Sequence, residues 1–248
     1  MKLLSFNLSG SFAAFRDPSV TANQTVYFIP SKSAIIGLLG AILGVKRGHD
    51  LETLYSVDYL ELFKITNIGI QLCNDPKKIT MFTNHVSMEE SITKPFKTEL
   101  LELPEYVIYV SSSKEYMEKM INNISENNFV FSPYLGHTYC PARIDNLKIY
   151  STEIVSDPTG IPTRCVILDE SEFTNNPYSL RIRPGEGINH KMIIERHLHH
   201  FFEDEIFTRR VLKHWIPVGG SKWIMDNYQK DRKYSTFVEV DGQVICIY

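Results

Sequence analysis

The sequence predicts an α+β protein, with a ferredoxin-like N-terminal domain over residues 1–150 and a smaller, mainly β region over residues 151–248. Two observations support this prediction. The patterned segments of the N-terminal part run strand, helix, strand, strand, helix, strand, which is the order of the split βαβ fold. In addition, 43% of the 248 residues are hydrophobic and 22% are charged, as is usual for a soluble protein with a substantial core.

The first strand and the first helix are the clearest elements. From Lys2 to Leu8, apolar residues occupy alternate positions, and this period of two indicates a strand. Residues 9–30 are expected to form a long loop with a short extended piece. A buried helix is predicted over Ser31–Val45, because a serine supplies the N-cap and Gly44 supplies a C-terminal stop.

The remaining elements of the N-terminal domain follow the same rules. Alternating apolar residues predict a second strand over Asn67–Cys73, and a third strand is predicted over Tyr106–Ser111. Ser112–Ser125 is expected to be a helix, because its first residue and Glu115 form a capping box ahead of an apolar stripe. A final strand is expected within Tyr139–Tyr150.

Two parts of the chain are less regular. Residues 74–104 are polar and rich in turns, and a connection of this length is usually functional or forms its own hairpin. In the C-terminal region we expect a strand at Arg164–Leu168 and helical stretches between Lys191 and His214. Asp241-Gly242 is a favoured two-residue turn and predicts a terminal hairpin.

Charge is distributed unevenly along the chain. The net charge of −3 argues against a protein that coats nucleic acid indiscriminately. Residues 1–50 carry five basic and two acidic residues, residues 51–140 carry seven and twelve, and residues 181–234 carry eleven and seven. This pattern is compatible with a local groove for RNA, and equally with random variation.

Neither secretion nor a disulfide framework is indicated. The longest apolar run, Ala34–Val45, has 12 residues, fewer than the roughly 20 that a membrane-spanning helix needs. No signal-peptide pattern opens the chain. The four cysteines are far apart and form no CxxC pair, which favours reduced thiols and a cytoplasmic protein without membrane contact.

No motif singles out a metal site or a catalytic centre. His197, His199 and His200 form a local group, and on a helix Glu195 and His199 would lie one turn apart. Because no HExxH motif and no second group of ligands follows, we expect a solvated helix face, with no metal and no cofactor. Phosphate-loop, nucleophile-elbow and paired-carboxylate motifs are absent from the sequence as well.

Several segments of the N-terminal domain occur in an order that is typical of one family. Gly10–Arg16 carries an aromatic residue followed by arginine, and Pro30–Ala34 leads into the glycine-bearing stretch Gly37–Gly44. Glu99–Tyr109 returns from the long connection into the third strand, and Pro133–Ala142 enters the last strand. Together these segments resemble the CRISPR-associated protein 5 family over the whole N-terminal domain.

The resemblance implies a role in type I CRISPR antiviral defence, with an I-B-like subtype as the candidate. Family members have a ferredoxin-like RAMP fold, similar to RNA-recognition domains, and are subunits of Cascade surveillance complexes. They bind and cap the 5′ handle of the guide RNA (crRNA), and they contact the backbone subunit and the large subunit. Target DNA is reached through the complex. A thumb, here residues 74–104, contacts the RNA and the neighbouring backbone subunit.

The candidate RNA-binding residues lie in the first loop, at the start of the first helix, in the predicted thumb and before the last strand. Free N–H groups, the helix dipole and a lysine at the helix start suit a phosphate. In the first loop, Phe15 either stacks on a base or folds onto the core. The candidates are Arg16, Ser31, Lys32, Ser33, His85, Lys94, Lys97, His137, Tyr139 and Arg143.

Two alternatives stay open at this point. One subtype of the family cleaves precursor guide RNA without a metal, and such chemistry needs a base and a stabiliser of the leaving oxygen. His85, His137, Tyr139 and Lys148 offer suitable groups, but no spacing singles out a set, so a non-catalytic subunit is favoured. The other alternative is a protein-interaction module that touches no RNA.

Overall fold

The computed structural model describes residues 1–20, 24–48, 55–86, 93–170, 180–187, 190–203, 206–228 and 233–248. The described helices are α1 (Lys32–Leu43), α2 (Val57–Ile65) and α3 (Lys114–Ser125). The described strands are β1 (Lys2–Ser9), β2 (Phe12–Ala13), β3 (Asn67–Leu72), β4 (Lys77–Val86), β5 (Thr93–Glu102), β6 (Glu105–Ser111), β7 (Arg143–Ser151), β8 (Pro162–Thr163), β9 (Ile167–Asp169), β10 (Leu180–Pro184), β11 (Lys191–Glu203), β12 (Ile206–Val218), β13 (Trp223–Tyr228), β14 (Thr236–Val240) and β15 (Gln243–Ile247).

The N-terminal part is built on a four-stranded sheet with the order β3-β6-β1-β7. The strand β1 pairs antiparallel with β6 and β7, and β6 pairs antiparallel with β3. Along the chain, α1 lies between β1 and β3, and α3 follows β6. This is the ferredoxin-like arrangement that the sequence predicts, so the α+β class is confirmed.

Both faces of this sheet are covered. Leu4 and Phe6 on β1 belong to a large buried cluster that includes residues of α1 and α3. Leu3 points to the other face and belongs to a second buried cluster with residues of β14 and β15. Two backbone hydrogen bonds of 3.0 Å join Tyr248 to Ile68 in β3. The C-terminal hairpin therefore completes the core of the N-terminal sheet.

Capping residues set the bounds of the helices. The Ser31 side chain accepts a hydrogen bond from a backbone N–H three residues on, and Gly44 ends α1 with a left-handed φ of 79°, as predicted. The N-cap of α3 is Ser113, one residue after the predicted cap Ser112. The Ser112 hydroxyl is instead hydrogen-bonded to a threonine that precedes β3. The helix α2 was not predicted.

The connection between β3 and β6 forms a hairpin of β4 and β5. These strands pair antiparallel along their length, and the short strand β2 pairs with β5 near the base of the hairpin. Apolar side chains farther along the hairpin are exposed, above all Phe82 at 73% and Val86 at 66%. The β4–β5 hairpin therefore presents an apolar surface away from the core.

The prediction of helices between Lys191 and His214 is wrong. The strands β11 and β12 form a long antiparallel hairpin, and β9 pairs along β12. Helix-compatible spacing in this stretch is overridden because the two strands satisfy each other's backbone groups and bury a shared face. The turn at Asp241-Gly242, where φ is 51° and 70°, joins β14 to β15 as predicted.

All four cysteines are free thiols, and Cys140, Cys165 and Cys246 are buried. Burial raises the pKa of the Cys73 thiol to about 11, so this thiol is protonated at neutral pH and unreactive as a nucleophile. Within the described ranges, the longest apolar helices fall short of what is needed to cross a membrane.

Candidate nucleic-acid interface

A groove of ≈ 1030 Å³ opens above α1. One end lies at the N-terminus of this helix, and its walls come from the loop before α1, the segments after α1 and after α3, and the β11–β12 hairpin. We call it the basic groove. The lining residues used below are Arg16, Ser31, Ser33, Ala34, Gly37, Ala41, Lys46, Arg47, Tyr55, Phe131, Tyr134, Gly136, His200 and Arg209.

The floor of the basic groove is a face of α1 with small side chains. Ala34, Gly37 and Ala41 lie three and four positions apart, and so share one side of the helix. A Cβ atom at Gly37 would meet no other atom within 4 Å, whereas one at Gly40 would lie 3.0 Å from the Val45 carbonyl oxygen. A ligand can therefore approach the helix backbone closely at Gly37.

The start of α1 carries two of the predicted residues to the basic groove but not the third. The Ser31 hydroxyl caps the helix and lies 3.0 Å from the Ser33 hydroxyl. Hydroxyls beside the positive end of a helix dipole favour an anionic group. The Lys32 ammonium instead lies 5.2 Å from the ring centroid of Phe63, and desolvation by burial lowers its pKa to about 8.

The basic groove is electropositive, although the chain as a whole carries a net charge of −3. Four cations line it, Arg16, Lys46, Arg47 and Arg209, and all are exposed. No carboxylate lines it among the residues that the structure describes. Burial, followed by the charges of Arg209 and Arg47, lowers the pKa of His200. The positive charge at neutral pH therefore comes from the arginines and the lysine.

Aromatic side chains lie beside these cations. Phe131 is 47% exposed and Tyr134 is 45% exposed, so both rings are accessible to a ligand in the groove. The Phe131 backbone N–H donates to the Ala41 carbonyl oxygen at 2.9 Å, which anchors this wall to α1. The Arg47 guanidinium lies 5.2 Å from the ring centroid of Tyr55. Cations and exposed rings in one groove suit a polyanion that carries flat bases.

The wall that contains Tyr134 is held by a turn that only glycine can occupy. Gly136 has a left-handed φ of 84°, and a Cβ atom there would lie 2.3 Å from the Ala14 carbonyl oxygen. The Ala14 N–H donates to the Leu135 carbonyl oxygen at 2.9 Å. The glycine thus allows close contact with the chain's own backbone. Phe15, next to Ala14, is buried and packs edge-on against Tyr106, so it folds onto the core.

The other predicted residues are distributed around the molecule. The rings of His137 and Tyr139 stack with centroids 3.9 Å apart next to Gly136, and both side chains are exposed. Arg143 forms an ion pair of 3.0 Å with Asp145. Lys97 is half-buried on the β4–β5 hairpin. The side chains of His85 and Lys94 lie outside the described residues.

Sequence reasoning missed most of the cations and rings that form the basic groove. Lys46 and Arg47 follow the glycine that ends α1, but that position alone does not distinguish them from surface charges. Phe131 and Tyr134 belong to a loop, where no periodicity marks an exposed face. Arg209 lies on β12, in a stretch that was predicted to be helical. Arg16 and Arg209 are brought together only by folding.

Comparisons with known proteins give a consistent result. Residues 3–100 match the family model described as CRISPR-associated protein (Cas_Cas5). A crystal structure of a CRISPR protein from Archaeoglobus fulgidus is similar over 99% of both chains, with a TM-score of 0.59 and 10% identity. A chain of a CRISPR RNA-guided surveillance complex is similar over 90% of this chain and 91% of that chain, with a TM-score of 0.51 and 11% identity. No curated protein sequence matches.

The chain has a ferredoxin-like sheet with an inserted hairpin, and its residues 3–100 are similar to the CRISPR-associated protein 5 family. The match to the CRISPR-associated protein (Cas_Cas5) family model covers 98 of the 248 residues, all of them in the N-terminal part of the chain. The structural likenesses, at 10% and 11% identity, extend over nearly the whole chain and establish the fold.

Proposed function

We propose that this chain binds the 5′ handle of the guide RNA in a type I CRISPR surveillance complex and holds it beside the backbone subunit. The observation that carries the proposal is the basic groove, where four cations and no described carboxylate face one cavity in an acidic chain. Neutralised phosphates supply most of the affinity in such sites. The family match and the likeness to a chain of an RNA-guided surveillance complex supply the biological context.

The chemistry of the groove favours a single-stranded segment. Unpaired bases can stack on exposed rings, and each stacked base contributes about 1–3 kcal/mol. Phe131 and Tyr134 supply such rings, while Arg16 and Arg47 supply phosphate contacts. The open space at Gly37 admits a backbone close to the helix start. A handle with splayed bases uses all of these features.

The β4–β5 hairpin is the part of the chain that we assign to a neighbouring subunit. Met81, Phe82 and Val86 are exposed apolar side chains on it, and an interface centre is usually formed by such groups. The hairpin is inserted in the chain between β3 and β6, and none of its described residues lines the basic groove, so it can contact a partner while the groove holds RNA.

The proposal is tested by measuring the affinity for guide RNA as a function of salt concentration. Arg47→Ala and Arg209→Ala should each weaken binding and reduce the salt slope by about one, as expected for one lost phosphate contact. Lys114→Ala is the matched control, because Lys114 is exposed on α3 and does not line the groove. Equal affinity and equal salt slope in all three variants would remove the groove from the RNA-binding site.

A cleavage assay on precursor guide RNA tests the alternative activity. His137 and Tyr139 are exposed, stacked and carry groups capable of acid–base chemistry. Incubation of precursor guide RNA with the chain in the presence of a chelator should leave the RNA intact if the chain is a binding subunit. Cleavage at the handle boundary that is lost in His137→Ala would instead establish a metal-independent endoribonuclease.

A further inference from the structure

The β11–β12 hairpin brings three histidines to one buried face. His197 and His199 are two positions apart on β11 and so point to the same side. In the register of the hairpin, His214 on β12 lies opposite Glu195, and His197 lies opposite Leu212. Residues opposite each other share a face of the hairpin, so His214 lies on the same face as Glu195. Glu195 is two positions before His197 and shares its face, so all three histidines lie together. We call His197, His199 and His214 the histidine cluster.

The histidine cluster is compact and closed to solvent. One ring nitrogen from each histidine lies within 4.8 Å of the others, and all three residues are buried. The Nε2 atoms of His199 and His214 are 2.8 Å apart. In a tetrahedral site with metal–nitrogen distances of about 2.0–2.1 Å, two ligand nitrogens lie about 3.3 Å apart. Side-chain rotations within the cluster would be needed to bring one nitrogen of each ring to this spacing.

Two of the histidines already have the outer partners that metal-binding imidazoles need. Nε2 of His197 lies 3.0 Å from a carboxylate oxygen of Glu195, and Nδ1 of His214 lies 3.2 Å from the Leu212 carbonyl oxygen. The Phe28 N–H donates to the same Glu195 oxygen at 2.9 Å. Such partners fix the orientation of the ring and leave the other nitrogen as the ligand.

His197 also has a nitrogen that nothing in the described part of the chain satisfies. Its Nδ1 atom is buried and has no hydrogen-bond partner among the described residues. With Nε2 on Glu195, Nδ1 is the atom that His197 offers to a ligand. A buried imidazole nitrogen without a partner is uncommon and calls for an explanation. A bound ion would supply its partner.

We propose that His197, His199 and His214 bind one divalent transition-metal ion, with Zn²⁺ as the best match. Three neutral imidazoles with no thiolate are a common ligand set for Zn²⁺, whereas Mg²⁺ and Ca²⁺ prefer oxygen ligands. The Glu195 carboxylate balances part of the added charge, while the nearby Lys32 ammonium opposes it. Replacing Lys32 by methionine is therefore expected to strengthen metal binding.

The location of the site indicates a structural role. The Tyr27 ring stacks on His197 with centroids 3.8 Å apart, so the loop before α1 packs directly on the histidine cluster. On the opposite face of the hairpin, the cross-strand pair His200 and Arg209 lines the basic groove. An ion in the cluster would hold one wall of the groove against the loop that carries Arg16.

The experiment measures metal content in the full chain after its affinity tag has been removed and Zn²⁺ has been added and dialysed away. We expect near one ion per chain in the wild type and in His200→Gln, the matched control outside the cluster. His199→Gln and His214→Gln should lose the ion, and Zn²⁺ should raise the melting temperature of the wild type but not of these variants. Equal metal content in all four proteins, or none in the folded wild type, would overturn the proposal.

A second measurement covers the case in which the histidine variants do not fold. Co²⁺ added to the metal-free wild type should give the visible bands of a four- or five-coordinate ion without a thiolate charge-transfer band. A thiolate band would assign the ion to the cysteines and overturn the proposal. The absence of any visible band at saturating Co²⁺ would leave the cluster as three hydrogen-bonded imidazoles and overturn it as well.

Discussion

Gly37 is the residue where the helix floor can be altered with the least effect on the fold. Because an added Cβ meets no atom within 4 Å, Gly37→Ala should raise the free energy of unfolding by up to about 1 kcal/mol through helix propensity. Gly37→Leu extends into the basic groove and should weaken RNA binding while the protein stays folded. Thermal melting and RNA titration of both variants check this. Unchanged RNA affinity in Gly37→Leu would contradict the assignment of the floor.

The burial of Lys32 should make the free energy of unfolding depend on pH. Desolvation lowers its folded-state pKa to about 8, whereas in the unfolded chain the pKa stays near its ordinary value of 10.5. Between these values the unfolded chain binds more protons, so this group's contribution to stability rises with pH from about 8 to about 10.5. Below about 8 the full cost of burying the ammonium is present.

Lys32→Met removes this cost. The variant should be more stable than the wild type at pH 7, by about 1 kcal/mol or more, since one unit of pKa shift corresponds to about 1.4 kcal/mol. The difference should shrink as the pH approaches 10. Denaturant unfolding of both proteins with a chelator present measures it, and Lys64→Met, at an exposed lysine of α2, is the control. Parallel pH curves for Lys32→Met and the wild type would contradict the prediction.

The β4–β5 hairpin is expected to serve assembly more than folding. Its base must be kept, because Leu100 and Leu101 are buried in the core and Lys78 donates to the Val26 carbonyl oxygen. Replacing residues 83–96 by a short Gly-Ser turn removes only the outer part. Closure entropy changes slowly with loop length, by about 0.6 kcal/mol per doubling, so the melting temperature should change little.

The shortened protein should fail to join the surveillance complex. Reconstitution with the other subunits and guide RNA measures this, while the melting curve of the same protein shows whether it folds. Phe82→Ser, which keeps the hairpin and removes one exposed ring, should give a weaker form of the same defect. Normal assembly of the shortened protein would contradict the role assigned to the hairpin, and loss of cooperative melting would show that residues 83–96 belong to the core.

The C-terminal region is predicted to be required for the N-terminal sheet to fold. Leu3 and Tyr109 are buried in one cluster with residues of the C-terminal hairpin, such as Val238, and Tyr248 is hydrogen-bonded to Ile68 in β3. A fragment of residues 1–150 would expose this face. We expect no cooperative melting for the fragment and one transition for the full chain. A cooperative transition in the fragment alone would contradict this, and would support the division near residue 150 as two independent domains.

The parts of the fold that were predicted correctly depend on interactions between near neighbours in the sequence. The alternation in β1, the N-cap at Ser31, the left-handed end at Gly44 and the turn at Asp241-Gly242 are each encoded within a few residues. Where a distant residue binds a side chain that was assigned to a local cap, the observed helix start differs from the predicted one. The Ser112 hydroxyl bonds to a threonine outside the helix, and α3 therefore begins after Ser113.

The candidate site depends on contacts between residues far apart in the sequence, which the local residue pattern does not predict. Arg16 and Arg209 line the same groove although more than 190 positions separate them, and His199 meets His214 only because β11 pairs with β12 in one register. The sequence stretch from Lys191 to His214 fits a helix or a strand when considered alone. The presence of a partner strand, and the core beneath it, selects the strand. The strands and helix caps of the N-terminal part therefore follow from short-range signals. The basic groove and the histidine cluster arise from long-range packing, because burial of the whole chain decides which distant side chains meet.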